Sequence, residues 1–167
     1  MASGAPPIIL IDGRSGAGKT TIGRALADRE GATLLSLDDV YPGWDGLEAA
    51  EHHVLTHVIR PFAAGGPARY RRWDWARASA ADWVDVDGGR PLVIEGCGAI
   101  GPAAKRLAAR AIWVELDDAE RRHRAIERDG ELFAAQWERW ARQEEWHARL
   151  HRPRALADEV ISGSSGR

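Results

Sequence analysis

Residues 13–20 read Gly-Arg-Ser-Gly-Ala-Gly-Lys-Thr and fit the pattern G-x-x-x-x-G-K-[ST]. Such glycines let the backbone turn its N–H groups toward phosphate oxygens, and a following helix N-terminus adds favourable charge. Lys19, one of only two lysines in the chain, should reach the β- and γ-phosphates, and the Thr20 hydroxyl should bind Mg²⁺. The segment predicts a site for ATP and Mg²⁺. The expected nucleotide contacts are Gly13, Arg14, Ser15, Gly16, Ala17, Gly18, Lys19, Thr20 and Thr21.

Two carboxylates follow the next predicted strand, in the segment Leu37-Asp-Asp-Val-Tyr-Pro42. At that position Asp38 and Asp39 would face the phosphate loop. An alcohol that accepts a phosphoryl group must lose its proton, so Asp38 is a candidate general base. The alternative that these carboxylates cap the following turn or hold Mg²⁺ through water stays open.

Three arginines further along the chain, Arg121, Arg124 and Arg128, are spaced by three and four residues and would share one helix face. A planar guanidinium binds two phosphate oxygens at once and offsets charge on a transferring group. The alternative is a solvated face on which Glu120 and Glu127 pair with the arginines.

Two other classes of phosphate-loop protein are excluded because the chain lacks their sequence motifs. Guanine-specific switches need an [NT]-K-x-D motif, but the chain has no Asn, and Lys105 lies in Ala-Lys-Arg-Leu. Large mechanical ATPases carry an apolar strand that ends in Asp, whereas the candidate strand here ends Ile94-Glu95-Gly96. A small-molecule kinase remains.

Short apolar segments alternate with segments of helical periodicity, which is typical of βαβ units. The predicted strands cover 8–11, 33–37, 91–95, 111–116 and 159–161, and the predicted helices cover 20–29, 47–62, 102–109, 118–128 and 131–150. The expected fold is a three-layer α/β/α phosphate-loop NTPase domain. Its mostly parallel sheet has five strands, and a helical lid spans about 118–150. Ligands should bind beyond the carboxyl ends of the strands.

Length, composition and charge further narrow the kind of protein. The 167 residues, 44% hydrophobic and 29% charged, suit one globular domain over 1–167, with a disordered tail at 162–167. A net charge of −2 argues against general nucleic-acid binding, and one cysteine excludes an intrachain disulfide. No apolar stretch approaches the roughly 20 residues of a membrane span, and residues 1–7 lack signal-peptide features. We expect a cytoplasmic monomer or homodimer that binds neither nucleic acid nor membrane.

The order of these motifs resembles the uridine kinase branch of the phosphate-loop nucleoside and nucleotide kinases. Asp38 and Tyr41 match the family's Asp-x-φ-Tyr segment, and Asp74, within Tyr-Arg-Arg-Trp-Asp-Trp, matches its substrate segment. Glu95-Gly96 matches its third strand end, and the lid arginines with Asp129 match its R-x-x-R-x-x-x-R-D spacing. The chain departs from the family by being short and by lacking a histidine downstream of the substrate segment.

The resemblance implies transfer of the γ-phosphoryl group of ATP to a hydroxyl group, with a nucleoside as acceptor. It assigns catalysis to Lys19, Asp38, Arg124 and Arg128, and a further nucleotide contact to Arg121. The acceptor ligands would be Asp38, Tyr41, Arg72, Asp74 and Glu95, and the metal ligands Thr20, Asp38 and Glu95. A nucleoside monophosphate kinase and a non-catalytic ATP-binding regulator stay open as alternatives.

The chain has eight tryptophans. Trp73, Trp75 and Trp83 could line an acceptor pocket by stacking, or could build a core. For Phe133, Trp137 and Trp140, helical spacing favours core packing.

Overall fold

A parallel sheet of five strands forms the centre of the protein, in a computed structural model that describes residues 4–163. The strands in chain order are β1 (Ile8–Asp12), β2 (Thr33–Ser36), β3 (Ala68–Asp74), β4 (Ser79–Val86), β5 (Leu92–Glu95), β6 (Arg110–Glu115) and β7 (Glu159–Ser162). The sheet has the order β2-β5-β1-β6-β7, and every pair in it is parallel. This architecture confirms the predicted fold class.

Helices cover both faces of the sheet. They are α1 (Lys19–Glu30), α2 (Leu47–Val54), α3 (Arg60–Ala63), α4 (Pro102–Leu107), α5 (Asp118–His151) and α6 (Pro153–Leu156). Side chains of β1 alternate between two apolar clusters, with Ile8 and Leu10 in one and Ile9 and Ile11 in the other. The first cluster contains residues from α2, α4 and α5, and the second contains residues from α1, so the sheet is the middle of three layers.

The strand register brings the functional segments to one edge. Ile11 pairs with Glu95, and Glu95 pairs with Ser36 on its other side, so β1, β5 and β2 end side by side. The loop between β1 and α1 starts at this edge. The residues that follow the carboxyl ends of these strands therefore lie close together, as expected for an open parallel sheet.

Two irregularities in the helices have a local cause in the sequence. A π-helical turn over Leu55–Ile59 joins α2 to α3 just before Pro61, which has no N–H to continue the helical hydrogen bonding. Helix α5 is interrupted at Gly130, whose backbone has φ 75° and ψ −162°. The helices predicted over 118–128 and 131–150 are thus both present, as two helical segments of α5 that meet in a kink at this glycine.

The antiparallel hairpin of β3 and β4 was not predicted from the sequence. Its connection contains no glycine, and Ala78 takes the left-handed conformation at φ 50° instead. A register shift between Arg71 and Trp73 interrupts the period-two pattern that identifies a strand. The hairpin adds a second, two-stranded sheet beside the edge where the functional segments meet.

Ser162 and Gly163, the first two residues of the expected disordered tail, are ordered. Ser162 ends β7, and the buried Gly163 donates its N–H to the carbonyl of Glu115. The prediction of disorder was wrong for these two residues, because β7 pairs with β6 up to Ser162. Residues 164–167 lie outside the described part of the chain. Among the described residues, no helix has the length and apolar character needed to cross a membrane.

Candidate active site

The phosphate loop lies between β1 and α1, and two of its glycines lie too close to neighbouring backbone to allow a side chain. A Cβ at Gly16 would come within 2.1 Å of the Arg121 carbonyl oxygen, and one at Gly13 within 2.5 Å of the Val114 carbonyl oxygen. Gly18 precedes α1 at φ 101°, a conformation that disfavours other residues. The loop therefore folds tightly against β6 and the first turn of α5.

Lys19 is buried in this loop, and its ammonium donates to the carbonyl of Arg14 at 2.9 Å. Burial by itself would lower the pKa of Lys19, but the nearby carboxylates of Glu144 and Glu95 help to raise it overall. The side chain is therefore positively charged at neutral pH, inside the cradle where phosphate charge would be held.

An oxygen-rich corner lies next to the lysine. The Thr20 hydroxyl donates to Glu95 Oε1 at 3.2 Å, and Glu95 is only 2% exposed. Burial raises the pKa of Glu95, and hydrogen bonding by Ser36 and the charge of Lys19 partly offset that effect. A hydroxyl and a carboxylate at this distance are ligands of the type that Mg²⁺ prefers. The donor set thus fits a magnesium ion.

Helix α5 supports the loop through contacts that the sequence did not reveal. Glu144 accepts the backbone N–H of Ser15 at 2.8 Å and the thiol of Cys97 at 3.3 Å. The neighbouring Glu145 forms an ion pair with Arg14 at 2.6 Å. These acceptors come from about 130 positions further along the chain, so no local motif could have indicated them.

Replacing Glu144 by alanine should lower the free energy of unfolding by about 1–3 kcal/mol, because the buried Ser15 N–H would lose its acceptor. Chemical denaturation measured by circular dichroism checks this. The control is Glu138→Ala, an exposed position on the same helix. Equal stability of the two variants would contradict the supporting role of Glu144.

A cavity of about 330 Å³ opens beyond the phosphate loop. One wall carries polar groups of the loop and the strand ends: Ser15, Lys19, Thr20, Asp38 and Glu95. A second part of the lining, the aromatic wall, consists of Tyr41, Trp44, Trp75, Leu132, Phe133 and Trp140. A ligand here would place one end among charged groups and the other among rings.

The aromatic wall is assembled by contacts between several elements. Trp44 stacks on Phe133 with ring centres 5.6 Å apart and lies 5.0 Å from Trp75. Tyr41 packs edge-on against Trp140 at 4.7 Å. The indole N–H of Trp75 donates to the backbone carbonyl of Asp38 at 2.8 Å, which fixes the hairpin to the turn after β2. The unpredicted hairpin therefore supplies part of the wall.

Asp38 and Arg128 both line the cavity. Asp38 is an exposed residue by its surface area, but desolvation of its carboxyl by the surrounding protein raises its pKa, an effect that the charges of Lys19 and Arg128 oppose. Arg128 is held by two hydrogen bonds to Asp129, at 3.0 and 2.7 Å. The structure thus brings Asp38, Arg128 and Lys19 into one cavity.

The other lid arginines take different places. Arg121 is buried, and it donates to the carbonyl of Ser15 at 3.2 Å and to Asp118 at 2.6 Å, so it buttresses the loop. Arg124 pairs with Glu120 at 3.0 Å and is not among the cavity-lining residues.

Phe133 and Trp140, which helical spacing predicts as core residues, are buried and also line the cavity.

Three residues expected to bind the acceptor are engaged otherwise. Arg72 and Asp74 do not line the cavity. Arg72 is exposed on the hairpin, and Asp74 accepts the backbone N–H of Arg77 at 3.0 Å. Tyr41 lines the cavity with its ring, but its hydroxyl donates to the carbonyl of Cys97 at 2.7 Å.

Cys97 has no nucleophilic character, because burial raises the pKa of its thiol to about 12.

Comparison with known proteins gives few sequence relatives. No family model matches the chain. A tRNA dimethylallyltransferase from Chlorobium chlorochromatii is 30% identical over 108 residues, which are 54% of this chain. The match covers 34% of that protein, so the chain spans about a third of the length of the curated relative.

Solved structures match over nearly the whole chain. A protein described as a possible uridine kinase, from Bacillus stearothermophilus, has a TM-score of 0.69 at 15% identity and covers 97% of this chain and 91% of its own. Shikimate kinase from Acinetobacter baumannii, in complex with shikimate, has a TM-score of 0.57 at 18% identity and covers 96% and 86%. The protein has the α/β fold of phosphate-loop kinases, and the resemblance predicted from the sequence is confirmed at the level of the fold.

Proposed function

We propose that the protein is an ATP- and Mg²⁺-dependent kinase that phosphorylates a hydroxyl group of a nucleoside. The observation that carries this proposal is the shared cavity, which Lys19 and Asp38 line together with the aromatic wall. The fold shared with uridine and shikimate kinases supports phosphoryl transfer to an alcohol. The proposed nucleotide ligands are the loop residues from Gly13 to Thr21.

Asp38 is proposed as the general base. The acceptor oxygen would form a bond to the γ-phosphorus while the bond from that phosphorus to the β–γ bridging oxygen breaks, releasing ADP. The acceptor proton would pass to the Asp38 carboxylate, which is exposed to the cavity. Lys19 and Arg128 would stabilise the charge that spreads over the transferred group.

Thr20 and Glu95 are the proposed metal ligands, because their oxygens lie together beside the phosphate loop. When bound, Mg²⁺ would neutralise charge on the β- and γ-phosphates. Asp38 lines the same cavity and could contact the ion through water.

The aromatic wall supports a flat acceptor. Rings of Trp44, Trp75 and Phe133 offer stacking surface, which suits a nucleobase and gives little to a small aliphatic polyol. Among the described residues that line the cavity, Arg128 is the one guanidinium, and the proposed phosphoryl transfer already uses it. A nucleoside monophosphate acceptor would bring a second phosphate with few cations to hold it. The nucleoside is therefore favoured.

The test is release of ADP from Mg·ATP in the presence of nucleosides, nucleoside monophosphates and aliphatic alcohols such as shikimate. We expect stimulation by a nucleoside. Stimulation by monophosphates alone, or by aliphatic alcohols alone, would overturn the proposed acceptor. ATP binding without stimulation by any compound would favour the non-catalytic regulator.

Trp75→Ala should then raise the KM for the nucleoside by roughly tenfold to a hundredfold, because stacking on a base contributes about 1–3 kcal/mol. Trp75→Phe should restore most of the affinity. The matched control is Trp83→Ala on the same hairpin, since Trp83 packs against His53 and His57 and does not line the cavity. A KM equal to that of the control would show that Trp75 does not contact the acceptor.

A further inference from the structure

A second cluster of ligand-type side chains lies behind the phosphate loop, outside the cavity described above. His147 and His151 are one helical turn apart on α5, and Glu48 reaches them from α2. One ligand atom from each residue lies within 4.8 Å of the other two. We propose that these three residues form a binding site for a divalent transition-metal ion of the zinc class.

The spacing of the ligand atoms suits such an ion. His147 Nδ1 lies 3.0 Å from Glu48 Oε1, and His151 Nε2 lies 3.3 Å from Glu48 Oε2. Tetrahedral zinc with bonds of about 2.0–2.2 Å has ligand atoms about 3.3 Å apart. Each carboxylate oxygen thus lies close to one imidazole, and the three ligand atoms, all within 4.8 Å of one another, need only draw together to share one ion.

The surroundings of His147 orient it as a ligand. Its Nε2 lies 3.3 Å from the carbonyl oxygen of Ile100 and 3.6 Å from Asp12 Oδ2. A proton on Nε2 would be donated there, and an ion that displaces the proton shared by Nδ1 and Glu48 would find the Nδ1 lone pair directed at it. Metal-binding histidines typically donate their second ring N–H to a carbonyl or carboxylate in this way.

Accessibility and ligand type define the ion. The His147 side chain is 4% exposed, while those of His151 and Glu48 are 18% and 38% exposed, so an ion can enter from the solvent side. Two imidazoles with one carboxylate favour Zn²⁺, Co²⁺ or Ni²⁺ over Mg²⁺, which prefers oxygen ligands. The site is therefore separate from the proposed magnesium corner at Thr20 and Glu95 in both position and chemistry.

This site is connected to the phosphate loop. Asp12, which faces the Nε2 side of His147, also accepts the backbone N–H of Gly13 at 2.7 Å and that of Ile100 at 2.9 Å. An ion that fixes His147 would also fix the carboxylate from which the loop begins. We expect metal binding to stabilise the folded chain through this connection.

The test is titration of the full chain, without any histidine tag, with Co²⁺ in the presence of excess Mg²⁺, followed by visible absorption. We expect equimolar binding, displacement by Zn²⁺, and a higher Tm with Zn²⁺. His151→Ala and Glu48→Gln should each weaken Co²⁺ binding by at least about a hundredfold, since loss of an outer-shell partner alone costs about tenfold to a hundredfold.

The matched control uses the second histidine pair of the chain. His53 and His57 are also four residues apart, with ring centres 4.6 Å from each other, but within residues 4–163 no carboxylate completes a metal-binding group with them. The double variant His53→Ala/His57→Ala should bind Co²⁺ as the wild type does. Absence of binding by the wild type, or binding unchanged in a folded Glu48→Gln variant, would overturn the proposal and leave the cluster as an ion-pair network.

Discussion

Replacement of Lys19 by methionine is expected to lower kcat for phosphoryl transfer by about a thousandfold or more. The ammonium is buried in the phosphate loop and is held at the Arg14 carbonyl, and nearby acidic groups raise its pKa. Methionine keeps the length of the side chain and removes the charge that would offset the transferring group. Steady-state ADP release with the acceptor found in the panel measures the loss.

The chain provides a matched control, because it has only one other lysine. Lys105 forms an ion pair with Asp158 at 2.9 Å, away from the cavity, so Lys105→Met should retain kcat. Since Lys19 also balances buried carboxylates, the Tm of its variant must be measured alongside. A folded Lys19→Met protein with turnover close to that of the wild type would refute the proposed mechanism.

Asp38→Asn is expected to lower kcat by about a hundredfold to ten-thousandfold, the usual contribution of a general base. Asparagine has nearly the same shape but does not accept the proton of the acceptor hydroxyl. The affinity for ATP should change little, because Lys19 and the loop amides remain. Single-turnover transfer and equilibrium ATP binding separate the two effects.

Asp39→Asn is the control, since Asp39 lies in the same short turn, Leu37–Asp39, and does not line the cavity. It should retain full turnover. If Asp38→Asn also retained turnover, Asp38 would be a ligand and not a base. That outcome would favour an acceptor that is already ionised, such as a nucleoside monophosphate.

Local patterns in the sequence were sufficient for the central sheet and the phosphate loop. Continuous apolar runs gave the buried parallel strands, and the glycine spacing with Lys19 gave the loop between β1 and α1. The break in α5 was also predictable, because Gly130 lies between two segments of helical periodicity. Each of these features is encoded within about ten consecutive residues.

Features that depend on distant contacts were not predictable in this way. The hairpin has a bulge and an alanine in the left-handed conformation at Ala78, so its strands lack the usual alternation and turn signal. The contact of Glu144 with Ser15 joins residues 129 positions apart. Phe133 and Trp140 are core and cavity wall at once, a combination that helical spacing alone does not distinguish.

Helix α5 touches the phosphate loop near both of its ends, through Arg121 at one and Glu144 at the other, with Gly130 between them. Each of the two helical segments of α5 is thus held on the loop, so neither can swing as a whole, and α5 bends most easily at Gly130, where its helical backbone is interrupted. Opening of the cavity would therefore be a flexing of the segment around Gly130, which carries Arg128 and Phe133. The loop below would keep its shape while ligands enter and leave.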